Sequence, residues 1–210
     1  MKLIQPVVEG HGEMESVPVL LRRLRDEAGI VDLDIARPIR RKQSELTGRE
    51  GIQKAVRLAL CQPDCTAILF LFDSEDACPK ELGPQAFRWA CEAAAGRPCA
   101  VVLAYREYET WFLAAIESLR GKCGIRQDAK MLPSPESRRG AKEALERYMP
   151  TNRSYAETVD QVKLSAALDL GLAYRRSRSF RKLVTAFGSL TREVGFQSLA
   201  WPPAAWVREP

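Results

Sequence analysis

Acidic side chains that follow short apolar stretches are the residues of this sequence most able to do chemistry. Three such stretches end abruptly in acids, and a Gly-His-Gly turn comes directly after the first. If the stretches are parallel strands, their carboxyl ends meet at one edge of a sheet, where open α/β sheets bind ligands. The acids are Glu9 and Glu13 after the first stretch, Asp73, Glu75 and Asp76 after the second, and Glu107 and Glu109 after the third.

Convergent carboxylates indicate a metal site, because they repel one another unless protons or cations lie between them. Oxygen ligands without Cys favour magnesium or manganese over zinc. Two such ions would clamp the attacking and leaving oxygens of a phosphoryl transfer. A single acid after a strand is more often a helix cap or a solvated turn residue, so we expect the set to bind metal rather than any one residue. His11, in the turn, is either polar lining of this site or a general base.

The elements that must position these acids alternate between strand and helix. Residues 66–72 form a continuously apolar run, which is typical of a strand buried on both faces. The alternation predicts a mostly parallel, doubly wound α/β sheet flanked by helices. A shift in composition predicts a core over 1–120 and a helical extension with an irregular tail over 121–210. The predicted strands are 2–8, 32–39, 66–72 and 99–104, and the predicted helices begin near residues 13, 48, 85 and 111.

The composition is that of an ordinary globular protein with a mild positive charge. A net charge of +5 is compatible with a nucleic-acid partner without requiring one. No apolar run approaches the length of a membrane span and no signal-peptide pattern opens the chain, so we expect a cytoplasmic protein without membrane contact. Six cysteines without a Cys-x-x-Cys pair, and a single histidine, do not predict a structural zinc site. These features are compatible with a homo-oligomer but do not predict an oligomeric state.

Two basic runs are candidates for contacts with a phosphodiester backbone. The first is Arg40-Arg41-Lys42, and the second contains Arg178, Arg181 and Lys182. A solvated charged face is an equally good interpretation of either run alone. The Gly-His-Gly turn does not predict a dinucleotide loop, because Glu15 stands where the third glycine of that motif belongs and would repel a pyrophosphate.

The acidic motifs resemble a known family. Val8-Glu9-Gly10-His11-Gly12-Glu13 and Phe72-Asp73-Ser74-Glu75-Asp76 are similar to the TOPRIM fold, in which a glutamate follows the first strand and an Asp-x-Asp-type motif follows the third. The Glu-Gly-x-x-Glu form is most similar to the nuclease domain of the overcoming-lysogenization-defect (OLD) family. The stretches 107–114 and 178–183 resemble an uncharacterised bacterial family of TOPRIM-like proteins, and the resemblance extends to about residue 190.

The resemblance implies roles for particular acids. Glu9, Asp73 and Glu75 match the metal-binding acids of the TOPRIM fold. Glu13 matches the second acid of the OLD-type loop. The usual second aspartate is Glu75 in this sequence, with Asp76 beside it, so the resemblance leaves open which of these two binds metal.

The resemblance also implies a function. OLD-type enzymes use a lysine near the metal, for which Lys142 is the candidate, and Glu107 or Glu109 would complete or orient the site. The implied activity is cleavage of DNA or RNA that depends on Mg²⁺ or Mn²⁺, with two ions bound. The implied setting is bacterial defence against phage, beside an ABC- or SMC-like ATPase partner. Two alternatives stay open: a non-catalytic α/β subunit that binds an ATPase or nucleic acid, and a hydrolase of small nucleotides.

Overall fold

A five-stranded sheet forms the centre of the structure, a computed structural model that describes residues 2–137, 139–197 and 200–207. The strands are β1 (Lys2–Val8), β2 (Leu33–Ile35), β3 (Ile39–Arg40), β4 (Cys65–Asp73) and β5 (Cys99–Ala104). All pairings are parallel, in the order β2-β1-β4-β5, and β3 also pairs with β1. The predicted mostly parallel α/β architecture is therefore confirmed.

The predicted strand over 32–39 is two short strands in the structure. β2 pairs with the start of β1, and β3 pairs with its end, where Val8 is level with Arg40. Pro38 lies between the two strands, and proline has no N–H group with which to continue a ladder of hydrogen bonds. The consequence for the site is that β3 brings a basic segment alongside the carboxyl end of β1.

Helices cover both faces of the sheet. They are α1 (Glu13–Glu27), α2 (Gln43–Leu46), α3 (Arg49–Leu60), α4 (Pro79–Ala93), α5 (Thr110–Ala114), α6 (Ala141–Glu146), α7 (Glu157–Ala167), α8 (Leu170–Arg176), α9 (Arg178–Glu193) and α10 (Ala204–Val207), with 3₁₀ turns at Ile116–Leu119 and Pro135–Ser137. In β4, Leu69 and Leu71 face the layer that contains α1 and α9, whereas Phe70 and Phe72 face α3 and α4. All four side chains are fully buried, as the continuous apolar run predicts.

Two predicted helices have different bounds in the structure. α4 begins at Pro79 rather than near residue 85, because proline fits the first turn of a helix, where its missing N–H group costs nothing. The helix predicted from Trp111 ends at Ala114 and continues as the 3₁₀ turn. Among the described residues, no helix combines the length and the apolar character needed to cross a membrane.

The order of the strands places a switch point between β1 and β4. From β1 the chain passes to β2 and β3 on one side, and it then crosses back to β4 on the other side. In open α/β sheets such a reversal opens a crevice at the carboxyl ends of the two strands. Glu9 directly follows β1 and Asp73 ends β4, so both acids lie at this crevice.

The C-terminal part of the chain packs onto the sheet and its helices. α7 lies against α1, and α9 lies against β5. Trp111 and Phe180 meet edge to face at 5.3 Å, and both are fully buried, as is Phe112, so these aromatic residues belong to the core. Trp201 donates a hydrogen bond to the carbonyl of Val184 at 2.8 Å, which docks the tail on α9. The predicted boundary at residue 120 stays a prediction, although both sides of it contribute to one apolar core.

Candidate functional site

A half-open cavity of about 430 Å³ lies at the switch point. Its volume is in the range of small-ligand sites. Its floor comes from the turns after β1 and β4, and one wall comes from the start of α7. The lining residues are Glu9, Gly10, His11, Glu13, Asp73, Glu75, Lys142, Glu157, Thr158 and Gln161.

Glu13 shapes the turn that follows β1. Its Oε2 atom accepts hydrogen bonds from the backbone N–H groups of Glu9 at 2.9 Å and Gly10 at 2.7 Å. The side chain is 3% exposed, and burial raises the pKa of Glu13 to about 8, although the two hydrogen bonds oppose the rise. Glu13 therefore lies in the predicted acid cluster, and one of its oxygens is committed to the backbone.

Gly12 is glycine because α7 passes close to the turn. A Cβ atom at Gly12 would lie 2.6 Å from Oε1 of Gln161 and 2.7 Å from Cγ of Glu157. Both distances are shorter than real Cβ contacts. The glycine thus allows α7 to reach the acids, a reason unrelated to phosphate binding.

The turns after β4 and β5 are joined to each other. Glu75 and Arg106 both have left-handed backbone conformations, with φ of 45° and 66°. The N–H group of Glu75 donates to the carbonyl of Arg106 at 3.0 Å, and the N–H group of Arg106 donates to Oγ of Ser74 at 2.7 Å. Strained non-glycine residues persist only where the surroundings fix them, and they cluster at functional sites.

This joined turn separates the two neighbouring acids. Glu75 lines the cavity. Asp76 instead pairs with Arg139 at 2.8 Å and with Arg106 at 3.9 Å, and its side chain is 71% exposed. The predicted role of Asp76 as a metal ligand does not fit this position, because its carboxylate faces arginines outside the cavity.

Glu107 and Glu109 are also separated. The two oxygens of Glu107 accept hydrogen bonds from the backbone N–H groups of Ala141 and Lys142, each at 3.0 Å, so this carboxylate caps α6. The predicted role of Glu107 as a metal ligand does not fit, because both of its oxygens already accept hydrogen bonds from the start of α6. Glu109 is fully buried and belongs to the acid cluster.

Glu109 is held by residues from the far end of the chain. Its Oε1 atom accepts hydrogen bonds from the hydroxyl of Tyr155 at 2.7 Å and from Nε2 of Gln161 at 3.2 Å. Gln161 is itself fixed by Ser16, whose hydroxyl donates to Oε1 of Gln161 at 2.8 Å. Burial raises the pKa of Glu109, although Lys142 and Tyr155 oppose the rise.

Each of the three strand ends contributes one buried carboxylate oxygen without a hydrogen-bond partner among the described residues. These atoms are Oε2 of Glu9, Oδ1 of Asp73 and Oε2 of Glu109. Burial and the neighbouring Glu75 raise the pKa of Glu9 to about 7, and burial with Glu13 and Glu109 raises the pKa of Asp73 well above its usual value. A buried carboxylate oxygen without a donor is costly and is unusual in folded proteins.

One cation lies among the acids. Lys142 donates to Oε2 of Glu157 at 2.8 Å, and both side chains line the cavity. Burial alone lowers the pKa of Lys142, but Glu109 and Glu157 outweigh it and raise the pKa above the usual value. Lys142 is therefore charged and close to the cluster, where the resemblance expects a lysine.

The acids offer the right type of ligand atom for a divalent metal ion, but their side chains are not arranged around one point. Across residues 2–137, 139–197 and 200–207, no group of three or more His, Cys, Asp or Glu side chains stands ready to hold an ion. The donor set nevertheless consists of carboxylate oxygens, which suit Mg²⁺ or Mn²⁺. The buried oxygens without partners are stronger evidence than the absence of a ready cluster. Side chains can rotate toward an ion, whereas the cost of burying unpaired carboxylates must be offset by some partner.

The first basic run lies beside the acids. The N–H group of Arg41 donates to the carbonyl of Val8 at 2.9 Å, which places the run next to the strand end that carries Glu9. Arg40 and Lys42 are exposed, and Arg41 reaches Glu45 only at 4.0 Å. Nucleic-acid binding by this run stays a prediction, and its position is compatible with that role.

The second basic run is partly structural. Arg178 and Lys182 are exposed on α9. Arg181 donates to the carbonyls of Tyr174 at 3.1 Å and Arg175 at 2.8 Å, so its guanidinium group ties α9 to α8. This engagement does not favour the predicted role of Arg181 in binding nucleic acid, because two of its contacts are to the protein backbone.

Sequence reasoning missed the contributions of Tyr155, Glu157 and Gln161. The rule that led to the acids looks only at strand ends, whereas these residues come from α7 and the loop before it. In sequence, Glu157 and Gln161 look like the polar face of an amphipathic helix. The sequence contained one indication of these residues, which is Gly12. A glycine in a turn can indicate that another element packs closely against it.

Most of the chain, residues 8–187, matches a family model described as a domain of unknown function (DUF4276). That range includes every residue that lines the cavity. No curated protein and no solved structure matches the chain. The chain therefore belongs to the DUF4276 family.

Proposed function

We propose that the protein is a nuclease that depends on Mg²⁺ or Mn²⁺. The supporting observation is that three buried oxygens without partners, on Glu9, Asp73 and Glu109, belong to the acids at the ends of three neighbouring strands. A divalent cation would offset the repulsion between these carboxylates. The same requirement explains why the sequence places acids at all three strand ends.

The metal would be held by Glu9, Asp73 and Glu109, with Glu75 at the rim of the cavity. When bound, such ions neutralise charge on phosphoryl oxygens and orient the groups of a phosphoryl transfer. Lys142, which also lines the cavity, would supply a positive charge that stabilises negative charge on a bound phosphate. His11 lines the cavity and is exposed to solvent.

A polymeric substrate is favoured by the charges that flank the acids. The backbone of Arg41 hydrogen-bonds the end of β1, whereas Arg106 and Arg139 pair with Asp76 in the turn after β4. Cations on both sides of the acids could hold phosphates on both sides of the one that is cleaved. A mononucleotide has no flanking phosphodiesters for both groups to hold.

The cellular role is proposed from the resemblance alone. TOPRIM-like proteins of the OLD type suggest that the protein is the effector of a bacterial defence against phage, working with an ABC- or SMC-like ATPase. Co-purification with an ATPase encoded beside it in its own genome tests this part. If the two proteins do not associate, with or without ATP, the proposed partnership is wrong.

A non-catalytic α/β subunit is the second candidate, and one observation favours it. Lys142 already offsets part of the negative charge, and the described acids do not form a ready metal cage. In that case the acids would be structural, and the protein would bind an ATPase or nucleic acid. Calorimetry with Mn²⁺ separates the two functions, because a structural cluster should bind no metal even at millimolar concentration.

Cleavage assays test the nuclease directly. DNA and RNA, single-stranded and duplex, are incubated with the protein and Mg²⁺ or Mn²⁺, with EDTA as the blank. We expect cleavage that Glu9→Gln and Asp73→Asn abolish, because these isosteric changes remove charge without removing volume. Glu15→Gln is the matched control, since Glu15 is an exposed acid on α1 outside the cavity. If Glu9→Gln and Asp73→Asn both cleaved as well as the wild type, the proposed site would be wrong.

A further inference from the structure

Tyr155 and Gln161 donate to the same oxygen of Glu109. Both hydrogen bonds end on Oε1, at 2.7 and 3.2 Å, whereas Oε2 is buried and has no partner among the described residues. A carboxylate that is free to rotate could offer either oxygen. Here two donors hold Oε1, so Oε2 is the oxygen left free for another partner, and Glu109 is close enough to the other acids to raise the pKa of Asp73 and Glu13.

The orientation of the Gln161 amide is also fixed. The hydroxyl of Ser16, on α1, donates to Oε1 of Gln161 at 2.8 Å. An ionised carboxylate can only accept hydrogen bonds, so the amide presents Nε2 to Glu109 and leaves Oε1 to accept from Ser16. Ser16 is fully buried and Gln161 is 1% exposed, so solvent cannot substitute for either partner.

We infer that Tyr155 and Gln161 are positioning residues for the proposed metal site: they hold Glu109 so that Oε2 faces the ion. The inference rests on the proposed function. Outer residues that orient a metal ligand are as much a part of a metal site as the ligand itself, because they fix its rotamer before the ion arrives. These residues lie on α7 and the loop before it, so the C-terminal segment helps to build the site rather than only supporting it.

Calorimetric titration with Mn²⁺ alone tests the inference. We expect Tyr155→Phe and Gln161→Met each to weaken Mn²⁺ binding by about 10-fold, the lower end of what such outer residues contribute. Both changes keep the size of the side chain and remove the donor. Binding that is unchanged in both variants would overturn the inference while leaving the metal site itself intact.

Two matched controls separate positioning from a general loss of structure. Tyr148→Phe removes a hydroxyl that donates to the carbonyl of Lys130 at 2.8 Å, away from the cavity. Gln53→Met removes an amide that donates to the carboxylate of Glu92 at 3.0 Å, on α3 at the opposite face of the sheet. Neither control should change Mn²⁺ affinity. If Tyr148→Phe or Gln53→Met weakened binding equally, the effect would not be specific to Glu109 and the inference would be wrong.

A double-mutant cycle with Glu109→Gln shows whether the two residues act through Glu109. In that background the additional loss from Tyr155→Phe should disappear, because contacting residues in one network do not act additively. If Tyr155→Phe weakened Mn²⁺ binding as much in the Glu109→Gln background as in the wild type, Tyr155 would not act through Glu109 and the inference would be wrong. If the wild-type protein binds no Mn²⁺ at all, both the proposed function and this inference fail, and that outcome is recognised by the absence of binding heat in the wild type.

Discussion

Glu13 accepts a hydrogen bond from the backbone N–H group of Gly10 at 2.7 Å, three residues back along the chain. The same oxygen accepts from Glu9 at 2.9 Å, so one buried carboxylate closes the turn after β1. Glu13→Ala should lower the free energy of unfolding by about 1–3 kcal/mol, because two partly buried N–H groups lose their acceptor. Glu13→Gln keeps an acceptor oxygen, so it should lower the free energy of unfolding by less than Glu13→Ala does. Urea unfolding measures both, with Glu15→Ala as the exposed control that should change little.

Stability without added cation should fall as pH rises. Burial raises the pKa of Glu9 to about 7 and that of Glu13 to about 8, from an ordinary value of 4.5. The folded chain therefore binds more protons than the unfolded chain between about pH 4.5 and 8, which makes the slope of stability against pH negative. We expect stability to decrease across this range and to level off above it.

Urea unfolding as a function of pH measures this slope. Asp73→Asn should reduce the slope, because it removes a buried carboxyl group whose own pKa is raised well above its usual value. Added Mn²⁺ should flatten the slope in the wild type if the acids bind it, since a cation stabilises the charged carboxylates. A stability that increases with pH through this range would contradict the assigned burial of the acids.

Lys142→Met should separate metal binding from cleavage. Removal of the ammonium group leaves the cluster more negative, so Mn²⁺ should bind more tightly. The rate of cleavage should nevertheless decrease, because the Lys142 ammonium group is no longer present beside the acids to stabilise negative charge on a bound phosphate. Calorimetry and the cleavage assay measure the two effects on one sample. Lys54→Met is the control, since Lys54 pairs with Glu50 on the opposite face of the sheet. Weaker Mn²⁺ binding in Lys142→Met would contradict the assigned role.

Gly12→Ala should destabilise the protein through α7. The new methyl group would lie 3.0 Å from the backbone carbonyl oxygen of Glu157, which cannot rotate away, and closer still to Gln161. We expect a cost of about 1–3 kcal/mol, typical of overpacking. Gly83→Ala is the contrasting control, because Gly83 lies within α4 and its nearest neighbour would be 3.6 Å away. That change should stabilise by about 0.5–1 kcal/mol.

Arg41→Ala and Arg106→Ala should weaken nucleic-acid binding with little dependence on sequence. For each phosphate that a variant no longer neutralises, the slope of log affinity against log salt should decrease by about 1. Fluorescence anisotropy at several salt concentrations, with EDTA present, measures binding without cleavage. Arg88→Ala, an exposed arginine on α4, should leave both affinity and slope unchanged. Equal decreases in all three variants would indicate a diffuse charge effect.

The sheet could be predicted from sequence because its signals are local. The apolar run of β4 indicates burial on both faces, and the structure buries Leu69, Phe70, Leu71 and Phe72 fully. The acids could be found for the same reason, since each one lies in or just after the turn that follows a strand. The β2 and β3 segments were harder, because Pro38 splits a pattern that reads as one strand.

The assignment of individual acids depended on contacts that no local pattern contains. Asp76 and Glu107 look equivalent to Glu75 and Glu109 in sequence, two or fewer residues away. The structure separates them through Arg139, which pairs with Asp76, and through the N–H groups of α6, which Glu107 caps. Such choices are made by tertiary neighbours, and one sequence does not reveal those neighbours.

The hydrogen bond from Ser16 to Gln161 spans 145 positions of the chain. A ribosome adds residues from the N-terminus to the C-terminus, so Ser16 is made long before Gln161. A growing polypeptide therefore carries its acids for a long time before α7 emerges to orient Glu109. If the protein is a nuclease, its activity belongs to the finished polypeptide alone, and an interrupted product of translation would be harmless to the nucleic acids around it.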